Sequence, residues 1–217
     1  MTGILKNHSQ LNRREITMRP TEILMQEHRV IEQVLDCLEV MAQRAEAGAL
    51  DVESAKQAID FFSNFADKCH HGKEEDCLFP LLEEKGFSRE QGPTGVMLHE
   101  HEAGRKHVQG MATAVCTFET GVSEAKKDFV SHAKAFIQLL REHILKEDHC
   151  LFQMSDQALS EEDQLGLLKS FAHVEHDDLG PGTHEKYLAI ATELAKRFRV
   201  TCQASNSEMG ICCSEHQ

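Results

Sequence analysis

"HHGKEEDCLF" at residues 70–79 returns as "HILKEDHCLF" at residues 143–152. His70 matches His143, Lys73 matches Lys146, Glu74 matches Glu147, and Cys77-Leu78-Phe79 matches Cys150-Leu151-Phe152, all at an offset of 73 residues. In each copy a histidine precedes a glutamate by four positions. That spacing sets both side chains on one face of an α-helix, with β-carbons about 6 Å apart. The stretch therefore reads as helix, and its duplication as two helices presenting the same side chains.

The flanking sequence extends this pattern. Leu24, His28, Ile31, Leu35 and Leu38 recur at three- and four-residue spacing and form one apolar face containing a histidine. Gly48 ends that helix. Asp51 caps a second helix with Ile59, Phe62, Ala66 and Cys69 on one face; it is expected to end near Leu78, just before Pro80. "EKGFSREQGPTG" (84–95) is a loop. A third helix runs from about Thr94 to Thr120, with His101 on the face of Met97 and Val108, and Gly121 stops it. Ser123 caps a fourth, which continues to about Gln153 and carries Phe129, Phe136, Leu139 and Leu140.

Four long helices with short connections predict an all-α, antiparallel up-down four-helix bundle over residues 20–155. Ser160 and Asp163 form a capping-box signature for a fifth helix at about 160–176. "LGPGT" (179–183) is a sharp turn, and Thr183 caps a sixth helix at about 184–199, so residues 156–199 read as an appended helical pair. Residues 1–19 are expected to be a flexible leader and 200–217 a disordered, cysteine-containing tail.

Composition narrows the function. Among 217 residues the net charge is −13 with acids spread throughout, which argues against nucleic acid as the main partner. No run of 18 apolar residues occurs, so no membrane span is expected. The first residues lack the apolar core of a signal peptide, and a cytoplasmic location is the expectation. Eight cysteines include no CxxC pair, which excludes a zinc ribbon or thioredoxin-like motif. Fourteen histidines beside no Trp and one Tyr are the compositional oddity.

In an up-down bundle the second and fourth helices run parallel, so equivalent positions sit at equal height. His70 and Glu74 then face His143 and Glu147 across the core, with His28 and His101 approaching from the other two helices. Singly, each has an ordinary reading: a core histidine that finds a hydrogen bond, or an ion pair on a solvated face. Together they are four histidines and two carboxylates inside one bundle, whose burial without a cation or partners costs several kcal/mol each. Imidazole plus bridging carboxylate suits non-haem iron, with manganese or zinc less favoured. Inward-facing helical His and Glu residues are the usual way to build a two-metal site in a bundle.

With "QEHRVIEQVL" (26–35), "CHHGKEEDCLFP" (69–80), "MLHEHEAGR" (97–105) and "REHILKEDHCLF" (141–152) in this order, the chain resembles the hemerythrin-like HHE cation-binding proteins. The resemblance implies two iron ions in an oxo- or hydroxo-bridged di-iron centre. It implies His28, His70, Glu74, His101, His143 and Glu147 as ligands, with Glu74 and Glu147 as bridges. Oxygen-carrying members have an HxxxH pair on the third helix; here the partner positions of His101 are Arg105 and Met97. Asp148 fits the carriers' HxxxxD spacing from His143, but the repeat pairs Glu147 with Glu74 and Asp148 with Glu75, so Asp148 is expected to support the site from outside or to be solvated. His71 points about 100° away from His70 on an α-helix and is not expected to be a ligand. The missing ligand is expected from the appended helices, as His184 with Glu175 nearby. Lys73, Glu75 and Asp76 are expected to face outward.

The resemblance implies binding of, or reaction with, oxygen, peroxide or nitric oxide, in sensing, storage or stress protection. A catalase- or reductase-like enzyme with an electron donor, or an iron donor to an iron–sulfur client protein, are the alternatives. Cys77 and Cys150 lie seven residues after His70 and His143 and read as small buried fillers or as a redox-responsive pair.

Overall fold

A computed structural model describes residues 18–178 and 180–201, so nearly all of the expected leader and tail lies outside the described residues. The described residues form six helices and no strand. Helix α1 is Pro20–Glu46. Helix α2 starts as Val52–Phe61 and continues through π-helical turns at Phe62–His71 and Glu74–Leu78 into Phe79–Glu84. Helix α3 is Pro93–Glu119. Helix α4 is Ala125–Lys146, prolonged by π-helical Glu147–Leu151 and by Phe152–Ala158. Helix α5 is Glu161–His173, extended by π-helical Val174–Asp178, and α6 is Thr183–Phe198.

Local chemistry sets the ends. The Asp51 carboxylate accepts from the Ser54 N–H at 3.1 Å, and Ser160 and Asp163 cap α5 reciprocally. Gly48 and Gly121, at φ of 104° and 98°, stop α1 and α3 in a conformation that disfavours other residues. Ser123 does not cap α4: the helix begins at Ala125, and Glu124 at the cap position makes no side-chain cap bond. Helix α2 passes the expected stop at Leu78 because Pro80 falls in the first turn after a π-helical segment, where a missing N–H is tolerated.

The helices alternate in direction. The start of α1 meets the end of α4 through Arg19 and Thr21 to Asp156, and its end meets α4 again through Glu46 and Lys134. Pairs Lys56–Glu119 and Asp67–Arg105 run α2 against α3, and His107–His132 and His101–His143 run α3 against α4. Helices α2 and α4 are therefore parallel, as the repeat required. Helix α6 lies against α2, with Tyr187 bonded to Asp60 and Arg197 to Ser54.

Two apolar cores result. The larger packs Ile31, Leu35, Phe61, Phe62, Phe65, Phe129 and Phe136 with Tyr187 and Leu194 of α6. The smaller packs Leu24, Leu78, Phe79, Met97, Leu151 and Phe152 with Leu167 and Phe171 of α5. Each fully buried Phe or Leu contributes about 1.5–3 kcal/mol relative to exposure. On each of the four bundle helices the inward histidines and glutamates fall between residues of one core and residues of the other. A polar layer is thus sandwiched between two dry ones.

Candidate metal centre

Six polar atoms in this layer are buried with no hydrogen-bond partner: Nε2 of His28 and His70, and both carboxylate oxygens of Glu74 and of Glu147. They converge. Glu74 Oε1 is 3.5 Å from His70 Nε2, and its Oε2 is 3.4 Å from His101 Nε2. Glu147 Oε2 is 3.2 Å from both His28 Nε2 and His143 Nε2. His28, His70, Glu74 and Glu147 form one group able to hold an ion; His71, Glu74, His101 and His143 form a second, all of these residues buried. Glu74 belongs to both, one oxygen towards each, as a bridging carboxylate must. Buried acceptors of this kind cost about 1–3 kcal/mol each when left unmet, and a pair of divalent cations would meet all six.

The other face of every imidazole is tied down. His28 Nδ1 donates to Asp148 at 2.7 Å, His70 to Glu27 at 3.0 Å, His71 to Asp67 at 3.2 Å, His101 to Glu75 at 2.6 Å and His143 to Glu100 at 3.0 Å. A carboxylate can only accept, so each bond places a proton on Nδ1; Nε2 of His28 and His70 is left without a hydrogen-bond partner, while those of His101 and His143 face each other at 3.1 Å. Each carboxylate is in turn held by a cation: Asp148 by Arg29, Glu27 by Lys73, Glu100 by Lys146, and both Asp67 and Glu75 by Arg105 at 2.8 and 2.6 Å.

Most of this arrangement obeys the 73-residue offset, which extends beyond the quoted repeat. Glu27 and His28 map onto Glu100 and His101, and Glu75 onto Asp148. Phe79 stacks on His101 with centroids 5.9 Å apart, and its counterpart Phe152 stacks on His28 at 5.5 Å. The α1–α2 hairpin is thus repeated as α3–α4 around a pseudo-twofold axis. The offset that links His28 to His101 also links Glu27 to Glu100, and it is the one sequence signal that points to these two carboxylates.

His71 breaks the symmetry. Its counterpart is Ile144, yet His71 is buried in the second group, its ring stacked 3.7 Å from that of His101. The expectation that it turns away assumed α-helical rotation. Residues 62–71 are π-helical, and a π turn closes over one residue more than an α turn, so His70 and His71 diverge less and both reach inward. Gly104 stands where the other hairpin has Ile31, and a cavity of about 170 Å³ opens there beside His71. Arg105, the residue in place of a third-helix ligand, instead holds the carboxylates behind His71 and His101.

Three further expectations change. His184 and Glu175 do not join either ligand group; they gather with Glu27, with His184 Nε2 3.6 Å from Glu27 Oε1. The Lys73 ammonium lies between Glu27 and Glu175, so the appended helices reach the support of His70 rather than the paired donors. Lys73, expected outside, is fully buried because three residues from His70 returns to the same face. Glu75 is half-buried against His101, while Asp76 is exposed as expected. Cys77 is half-buried and Cys150 exposed.

Burial and neighbouring charges act differently on each of the donors. Burial, followed by the Glu147 charge, raises the Glu74 carboxyl well above its ordinary range. Burial also opposes ionisation of Glu147, but His143 and His28 outweigh it and hold that carboxyl ionised. Burial lowers His70 and His71 to about 4 and His101 to about 3. Burial opposes the charge on His143 too, yet Glu147 and Glu100 push it up to about 9. The neutral histidines keep their lone pairs for a cation, and a proton near Glu147 is what that cation displaces.

Two parallel helices, each giving a histidine and a central glutamate, with imidazoles backed by carboxylates, define a two-metal helical-bundle protein. Residues 19–155 match the hemerythrin HHE cation-binding domain, and the chain belongs to that family. Its clustered His and Glu residues are of the kind that form a di-iron centre there, consistent with binding of oxygen, nitric oxide or peroxide. No curated protein and no solved structure matches the chain.

Proposed function

We propose that the chain holds two iron ions and binds or reacts with dioxygen, peroxide or nitric oxide. His28 and His70 would hold one ion and His71, His101 and His143 the other, with Glu74 and Glu147 shared. The observation that carries this reading is the set of six buried donor atoms without partners, framed by imidazoles already fixed in the metal-ready tautomer. When bound, a ferrous pair supplies electrons and a coordination position to a small oxidising ligand. The protein's own part is to hold the donors rigid and the layer dry. The two apolar cores close it above and below, and Phe79 and Phe152 cover two of the rings. The His28–His70 group offers two imidazoles and the His71–His101–His143 group three, so the former would leave more room for an exogenous ligand.

A small diatomic molecule or peroxide is the partner this reading requires; an electron donor or an iron–sulfur client enters only if the centre turns over or surrenders its iron. No helix among the described residues is long and apolar enough to cross a membrane; a cytoplasmic setting is part of this proposal. Metal analysis followed by stopped-flow mixing of the ferrous protein with oxygen, peroxide and nitric oxide tests the reading. A lasting adduct supports carriage or sensing, and rapid multiple turnover of peroxide supports the enzyme alternative. A colourless, zinc-only protein inert to all three would refute it.

A further inference from the structure

Of the histidines outside the metal centre, two meet on the surface between α3 and α4. His107 Nδ1 and His132 Nδ1 are 3.2 Å apart. Both rings are partly exposed. Two imidazole nitrogens sharing one tetrahedral cation at 2.0–2.1 Å lie about 3.3 Å from each other, so the pair already stands at the required separation. Across the interface, α3 is notched to accept His132. A β-carbon at Gly110 would lie 2.5 Å from His132 Cε1 and Nε2, so a side chain there would force the ring away. Asp128 precedes His132 by one helical turn and, with Lys106 and Gln109, lines the same surface pocket. Burial, then the neighbouring His132, lowers the His107 pKa, which keeps a lone pair available at neutral pH.

We propose that His107 and His132 form a second, separate metal site that takes one borderline divalent cation, zinc or copper, and clamps α3 to α4. Neutral imidazoles without a bridging carboxylate suit these ions better than iron. Solvent completes the coordination, and Asp128, which shares a surface pocket with His132, adds a negative charge nearby. The site is independent of the buried centre, since none of its residues belongs to either ligand group.

The test is calorimetric titration of the iron-loaded protein with zinc, beside His107→Gln, His132→Gln and Gly110→Ala. One zinc equivalent is expected in the starting protein, weakened at least tenfold in all three variants, while each retains its iron. Gly110→Ala removes neither ligand, so its loss of zinc reports the notch itself, and circular dichroism checks that each variant is folded. A Glu74→Gln protein should keep the zinc event. Indistinguishable titrations across the three variants, or loss of the event in Glu74→Gln alone, would overturn the proposal and leave adventitious binding or zinc entry into the buried centre.

Discussion

Lys73 and Lys146 are the same residue of the repeat in two different environments, and replacing each by methionine makes an internal control. Both bind the carboxylate behind a histidine, Glu27 for Lys73 and Glu100 for Lys146. Lys73 is fully buried and also meets Glu175 of the appended segment, whereas Lys146 is 42 % exposed. Removing one partner of a buried pair costs about 3–5 kcal/mol because the other charge is stranded. Here Glu27 keeps His70 and His184, and Glu175 is 34 % exposed, which brings the expected cost of Lys73→Met to about 2–4 kcal/mol. The exposed pair of Lys146 contributes about 0–1 kcal/mol. At roughly 2–4 °C per kcal/mol for a chain of this size, Lys73→Met should lower Tm by roughly 5–15 °C and Lys146→Met by no more than about 4 °C. Scanning calorimetry of both variants at one metal loading makes the comparison. Equal shifts would refute the argument that burial, rather than position in the repeat, decides what this lysine contributes.

Arg105→Gln should weaken metal binding about 10–100-fold, since it releases both carboxylates that orient His71 and His101; competition with a calibrated chelator reads this, and unchanged affinity would deny the arginine its positioning role. His71→Ile, which restores the residue of the other hairpin, should weaken one of the two ions and spare the other in a stepwise chelator titration; loss of neither would place His71 outside the centre. Asp51→Ala should cost about 1 kcal/mol by removing the cap of α2, measured by urea unfolding. Burial opposes ionisation of the Asp51 carboxyl, but its Ser54 bonds outweigh this and hold it below the ordinary range, so this stability is present above about pH 3.9 and lost as pH falls through the folded value. The gap between the two proteins should therefore close in acid and stay open at neutral pH.

The helices were legible because their apolar residues keep strict three- and four-residue spacing and because Asp51, Ser160, Gly48 and Gly121 mark ends by local chemistry alone. The pairing of Glu74 with Glu147 was legible for a geometric reason: parallel helices in an up-down bundle carry a repeat to equal height. What escaped depends on departures from the ideal α-helix or on contacts between helices. His71 faces inward from the π-helical stretch 62–71, and no side-chain pattern announces that turn. Glu27 and Glu100 each precede a core histidine by one residue, and their contacts are to His70 and His143 on neighbouring helices, which no pattern within their own helix announces. His184 and Glu175 reach the supporting layer and not the donors because they end on Glu27 and Lys73, which stand behind His70.

The central claim is that Glu74 and Glu147 bridge one pair of ions, and it is tested most directly by counting iron per chain in the wild-type protein and in Glu74→Ala and Glu147→Ala. Two irons are expected in the wild type, and fewer than two in each variant even though every histidine remains. Two tightly bound irons in either variant would contradict the bridging assignment.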